Sequence, residues 1–242
     1  MDCFYVSKMA IHDRAPELAV YPALGNHDLK GNEATAPRNY FQRFPALHNS
    51  RYYSVRAANC LLLILDSSLN EVVGAQGDWL KDNLSKLPSD VKFVFVVLHH
   101  PPYTSSSDEK KYGGGHSARH SEGMLATLLE QRQQAIHQRV IVIGGQVHNY
   151  ERHEHGGVTY FVTGGGGAHA YPIERARDDP FQSNEINYHY LDIAVSKAKV
   201  EITMKQLQLI EPGLNWTTPD EVTIPAFNAV SAQTSASAGR PN

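Results

Sequence analysis

A chain of 242 residues, 41% of them hydrophobic and 19% charged, has the composition of a soluble globular protein, and its length suits one large domain. A formal net charge of -3 gives no basic excess to neutralise a phosphate backbone, so nucleic acid is not expected as a partner. No apolar run approaches the roughly 18 residues of a membrane span, and the first residues (MDCFYVSKMAIHDR) hold no signal-peptide apolar stretch, so no membrane partner is expected. Cys3 and Cys60 make no disulfide framework, which leaves the compartment open.

In chain order, Leu18 to Leu24 (LAVYPAL) reads as a short strand that feeds a turn at Gly25-Asn26-His27-Asp28. Tyr52 to Val55 and Cys60 to Leu65 (CLLLIL) are two further strands, the second apolar enough to be buried on both faces. Trp79, Leu80, Leu84 and Leu87 recur at helical spacing from Gln76 until Pro88 stops the pattern. Val91 to Leu98 (VKFVFVVL), β-branched and aromatic, is the strongest strand and runs into His99-His100-Pro101-Pro102-Tyr103. After a polar loop to His120, Ser121 caps a helix with Leu125, Leu128, Leu129 and Ile136 on one face. Val140 to Ile143 is another buried strand and delivers Gly144 to Arg152 (GGQVHNYER). Thr159 to Val162, Tyr188 to Val195 and Val200 to Leu207 alternate apolar and polar residues as half-buried antiparallel strands do. The domain is drawn over 1–211, with an extension over 212–242 that turns low-complexity at about Ser231.

Thirteen histidines fall mostly in loops that follow apolar strands. Asn26 with His27, His99 and His148 therefore stand at three strand ends, where α/β proteins gather their sites. An Asn carbonyl and neutral imidazoles are ligands for borderline divalent metals.

GNHD at 25–28, HHPPY at 99–103 and GGQVHNYER at 144–152 resemble, in order and spacing, the later motifs of calcineurin-like metallophosphoesterases of the purple acid phosphatase type. The resemblance covers roughly Leu18 to Leu209 and implies an α/β fold, a four-layer α/β/β/α sandwich with a dinuclear iron, zinc or manganese site between loops. It implies metal-ligand roles for Asn26 and His99 at the second metal and for His148 at the first. It further implies that His27 is the acid that assists the leaving group, that Asp28 orients it, and that the substrate is a phosphomonoester or diester, with Asn26 and His27 also binding substrate. Gln146 stands where the family has a metal-binding His, and its amide oxygen is the weaker donor. The family's first two motifs, which supply the bridging aspartate, would lie before Leu18, where nothing matches; Asp13 in IHDRAPE reads as a surface carboxylate. The domain is thus expected to be truncated at its N-terminus and weakly metallated, since the retained ligands are all neutral. Strands left without partners, LAVYPAL or CLLLIL, are expected to expose an edge open to self-association.

Other features have plainer readings. Gly164 to Gly167 lacks a P-loop ending and reads as a turn lining the pocket, and His153 and His155 take no ligand role. Arg119, with His116 on the long loop, is a weak candidate for a substrate phosphate contact against the plainer reading of a solvated loop. Two functions follow: a metal-dependent phosphoester hydrolase, or a catalytically impaired relative that serves as a binding module.

Overall fold

The computed structural model describes residues 18–30, 35–107, 116–210 and 213–227, so Cys3, Asp13 and the tail from Ser231 lie outside the described residues. The strands are β1 (Tyr53–Ala57), β2 (Cys60–Ile64), β3 (Phe93–Val97), β4 (Arg139–Gly144), β5 (Tyr150–His155), β6 (Val158–Thr163), β7 (Tyr188–Val195), β8 (Lys199–Ile210) and β9 (Gly213–Pro225). The helices are α1 (Ala36–Arg43), α2 (Gly74–Ser85) and α3 (His120–Gln133). One sheet has the order β1-β2-β3-β4-β6-β5 and a second has β7-β8-β9. The β2-β3, β3-β4 and β4-β6 pairs are parallel, and the outermost strands β1 and β5 pair antiparallel.

The apolar sequences of β2, β3 and β4 fit strands covered on both faces. On one face Leu63, Val94, Val96 and Val142 meet Leu80 and Leu84 of α2 and Leu125 and Leu129 of α3. On the other, Phe93, Phe95, Ile141 and Phe161 meet Val200, Ile202 and Met204 of the second sheet. Among the described residues the layers therefore run helices, sheet, sheet, in a mixed α/β architecture, and Tyr190, Leu214 and Trp216 remain exposed on the second sheet. Cys60 is a buried free thiol. No helix among the described residues is long and apolar enough to cross a membrane.

Four elements differ from the sequence expectation, each for a local reason. Leu18 to Leu24 forms no strand: the Tyr40 and Tyr53 hydroxyls donate to the Pro22 carbonyl at 3.1 and 2.8 Å, and Leu24 is buried with Tyr40 and Phe44. Proline brings no amide to a ladder, and side chains anchor the segment instead. Ser121 lies inside α3, whose N-cap is Arg119, and its hydroxyl donates to Glu122 at 2.9 Å. Tyr150 to His155, polar enough to pass for a site loop, is the edge strand β5. The second sheet continues past the boundary drawn at 211, because β9 pairs along β8 as far as Pro225 opposite Lys199. Pro219 escaped the strand pattern and falls where the ladder shifts register between Met204 and Gln206, a place that tolerates a missing amide.

The two segments expected to expose an edge do not: LAVYPAL is not a strand, and CLLLIL is paired on both sides by β1 and β3. Leu125 is fully buried beneath α3 while Leu214 is 69% exposed. Urea denaturation should therefore show Leu125→Ala losing about 2–5 kcal/mol of stability and Leu214→Ala staying within about 0.5 kcal/mol of the parent.

Candidate active site

Parallel strands β3 and β4 end side by side, with Val97 opposite Ile143, so the residues that follow each strand must meet. The Gly145 amide donates to the His99 carbonyl at 2.8 Å, and the Gln146 side chain lies close enough to the His99 ring to favour its protonated form. Gln146 has φ of +60°, in the left-handed region, which turns the chain sharply out of β4. The turn at Asn26–Leu29, a single 3-10 turn, arrives from the other side and sets Asn26 Oδ1 3.1 Å from His99 Nε2. This approach needs Gly25, where a Cβ would come within 3.1 Å of His99 Nδ1. Asp28 accepts the Gly25 amide at 2.9 Å and so fixes the turn. His27 Nε2 lies 3.0 Å from Lys30 Nζ, in a cleft of about 400 Å³ lined also by Asp28, Asn39, Gln42 and Arg43.

His148 joins this group less directly. Its Nδ1 donates to the His169 carbonyl at 2.8 Å, which fixes the orientation of the ring. Its ring lies 5.3 Å from Tyr171 and 6.4 Å from His116, centroid to centroid. His116 is close enough to His99 to repel a proton there. The geometry thus brings Asn26, His99 and Gln146 into contact, sets His27 beside them, and connects His148 through His116.

Burial pushes His99 down to about 4; the Gln146 side chain pulls it up, and His27, His116 and Arg119 push it down again. His100, whose ring meets that of His99 edge-on at 4.8 Å, is lowered to about 4 by burial and by Arg119. Both imidazoles are neutral at pH 7 and carry lone pairs. His99 Nε2 donates to Asn26 Oδ1 across this contact, and since two ligand atoms about 2.1 Å from one ion and at right angles are also about 3 Å apart, an ion that replaces the Nε2 proton suits the same spacing. Among the described residues, however, no group of three or more His, Cys, Asp or Glu side chains can hold a metal. The described residues fit part of one ion's shell and do not by themselves make a dinuclear centre.

Arg119 does not project into the cleft as a free cation. Its Nε donates to Glu122 Oε2 at 2.8 Å, and its Nη2 to Glu122 Oε1 and to the Ser67 carbonyl. Glu122 escaped the sequence reading, although it sits three residues before Leu125 on the apolar face of α3. Glu151 and His153 alternate inward on β5 and are structural. Glu151 accepts the Thr104 hydroxyl and Ser105 amide, each at 2.6 Å, and His153 lies 3.2 Å from both Glu151 and Asp179. Gly164 follows β6 directly, and a Cβ there would meet the Val147 carbonyl oxygen at 1.9 Å.

The chain matches the profile of the calcineurin-like phosphoesterases over residues 5–150, more than half of its length, and it belongs to that family. The match begins upstream of Leu18, where no family motif is legible by eye. Among solved structures, purple acid phosphatase PPD1 from yellow lupin (Lupinus luteus) seeds superposes with a TM-score of 0.54 at 17% identity, covering 76% of this chain and 35% of the lupin chain. The chain thus spans about a third of the lupin protein's length, and the likeness is one of fold. GAP50, the anchor in the inner membrane complex of Plasmodium, gives a TM-score of 0.43 at 14% identity over 70% of this chain and 55% of its own. Zinc-complexed Vps29 of Entamoeba histolytica gives 0.30 at 14% identity, over 73% and 61%. No curated protein sequence matches the chain.

His99, His100 and His189 are each lowered to about 4, with burial the largest cause, against an ordinary value of 6.5. The folded chain therefore binds fewer protons than the unfolded chain between these limits, and the associated stability is present above pH 6.5 and lost as pH falls through 4. Thermal melts from pH 7 to pH 4 should show the midpoint falling across this interval.

Proposed function

We propose that the chain is a phosphoester hydrolase, built around the contact of Asn26, His99 and Gln146 at the ends of β3 and β4 and the adjoining His27 cleft. Family membership supports phosphoester chemistry, and the 3.1 Å Asn26–His99 spacing is the observation that carries a metal-dependent reading. In this reading Asn26 and His99 hold an ion with help from Gln146, and His148 belongs to a neighbouring position. His27 transfers a proton to the oxygen that leaves phosphorus, and Lys30 and Arg43 line the cleft that receives an anionic phosphomonoester or diester. Asp28 holds the turn through the Gly25 amide, so it keeps His27 in place rather than reacting.

A binding-module reading has its own support: among the described residues no third His, Cys, Asp or Glu completes a metal shell. Neutral donors alone neutralise none of a dication's charge, which weakens hard-ion binding. Hydrolysis of an aryl phosphate, with added manganese, zinc or iron and again after chelation, separates the two. The hydrolase reading expects turnover that chelation abolishes, and a fall of about 10²-fold in kcat/KM for His27→Ala. Absence of turnover with metal bound would leave the binding module.

Gln146→His should raise the metal retained per chain, measured by elemental analysis after gel filtration, yet recover little activity because no carboxylate is added. Histidine tolerates the left-handed backbone at this position better than most residues do. A gain in activity equal to the gain in metal would show that the carboxylate is supplied elsewhere.

A further inference from the structure

Two carboxyl groups lie fully buried behind the strand ends, and the proposed hydrolysis uses neither. Glu71 lies on the loop between β2 and α2, Glu122 lies in the first turn of α3, and each has no exposed surface. Glu122 is well supplied with donors: the Arg119 guanidinium binds both of its oxygens, and the Ser121 hydroxyl adds a bond at 2.9 Å. Glu71 is not. Among the described residues neither of its oxygens meets a hydrogen-bond partner of ordinary geometry, and the polar groups close to it are its own backbone amide and the Glu122 carboxyl.

The other charged groups nearby are occupied. On the same loop Asp66 is paired with Arg51 at 2.5 Å, and from α2 Lys81 donates to the Val72 carbonyl at 2.7 Å. At the end of β3, His100 Nδ1 lies 2.7 Å from Ser67 Oγ, and its burial keeps the ring neutral. Among the described residues Arg119 is thus the single cation facing the two carboxyl groups. Were both ionised, the enclosure would carry an uncompensated negative charge out of water, and a carboxyl group in that position keeps its proton instead.

We propose that Glu71 and Glu122 share one proton at neutral pH, with the Glu71 carboxylic acid donating to the Glu122 carboxylate, and that this pair is the positioning device holding Arg119 against the Ser67 carbonyl beside the candidate site. The inference does not rest on the hydrolase reading. Burial first, then the Glu122 charge, pushes Glu71 up to about 8. Burial also raises Glu122, but its hydrogen bonds from Arg119, Ser121 and Glu71 outweigh that and bring it down. Because Glu71 is raised above its ordinary 4.5, the folded chain holds an extra proton from about pH 4.5 to 8. The stability so gained is greatest at the acid end of that window and is lost as pH rises through 8.

Two measurements on the full chain test this. In the infrared, the wild type at pH 7 should show the carbonyl stretch of a protonated carboxylic acid, and the band should vanish in Glu71→Gln and in the wild type above pH 9. Glu71→Gln keeps the shape and an N–H donor towards Glu122 but cannot ionise. Its melting temperature relative to wild type should therefore rise by a few degrees between pH 6 and pH 9. A wild-type spectrum without the acid band at pH 7 overturns the proposal, even if Glu71→Gln fails to fold. So does a melting difference between the two chains that stays constant with pH.

Discussion

The parallel pairing of β3 with β4 is the constraint on which the candidate site depends. Because Val97 sits opposite Ile143, the two chains leave the sheet at one level, and His99 and Gln146 meet whatever the surrounding loops do. A slip of one residue would reverse the faces of β3 and turn its buried valines out of the helix layer, so the register is held by the whole core. The turn carrying Asn26 has no such support from a ladder. It is positioned by side chains, through the hydroxyls on Pro22 and the close approach that Gly25 allows to the His99 ring.

Around this centre the irregular segments are fastened by buried carboxylates. Glu151 ties Thr104 and Ser105 to β5, Asp179 holds Ser105 at 2.5 Å and sits 3.2 Å from His153, and Glu122 anchors Arg119. Each of these groups has hydrogen-bond donors, as a charge removed from water requires, and satisfied networks of this kind fix one arrangement of a loop. Glu71 is the exception in the same region, since neither of its oxygens meets such a donor.

Much of this architecture was legible in the sequence because apolar runs announce buried strands. CLLLIL, VKFVFVVL and VIVI became β2, β3 and β4, and the residues shortly after the last two, His99 and Gln146, belong to the site. Elements whose pattern is set by their neighbours were not legible. Strand β5 is polar because it is an edge whose inward residues bind loops, and β9 contains Pro219 at a register shift, so neither showed a strand's usual alternation. LAVYPAL looked like a strand, and local hydroxyl contacts to Pro22 prevailed over its β propensity. Asn26, His99 and Gln146 could be placed together because each lies within a short motif. Glu71 and Glu122 could not, since a buried carboxylate is recognised only through the partners that three-dimensional packing gives it.

The chain has two tryptophans, and the two-sheet architecture puts them in different surroundings. Trp79 lies on α2 against the helix-side core, with the Tyr52 ring 5.2 Å away. Trp216 lies on β9, half exposed on the outer sheet, 5.1 Å from Tyr190. An indole screened from water emits at shorter wavelength than a wetted one, so the molecule carries two optical reporters on opposite layers. Unfolding that begins in the outer sheet would quench the red component first and leave the blue one intact, whereas loss of the central sheet would change both together.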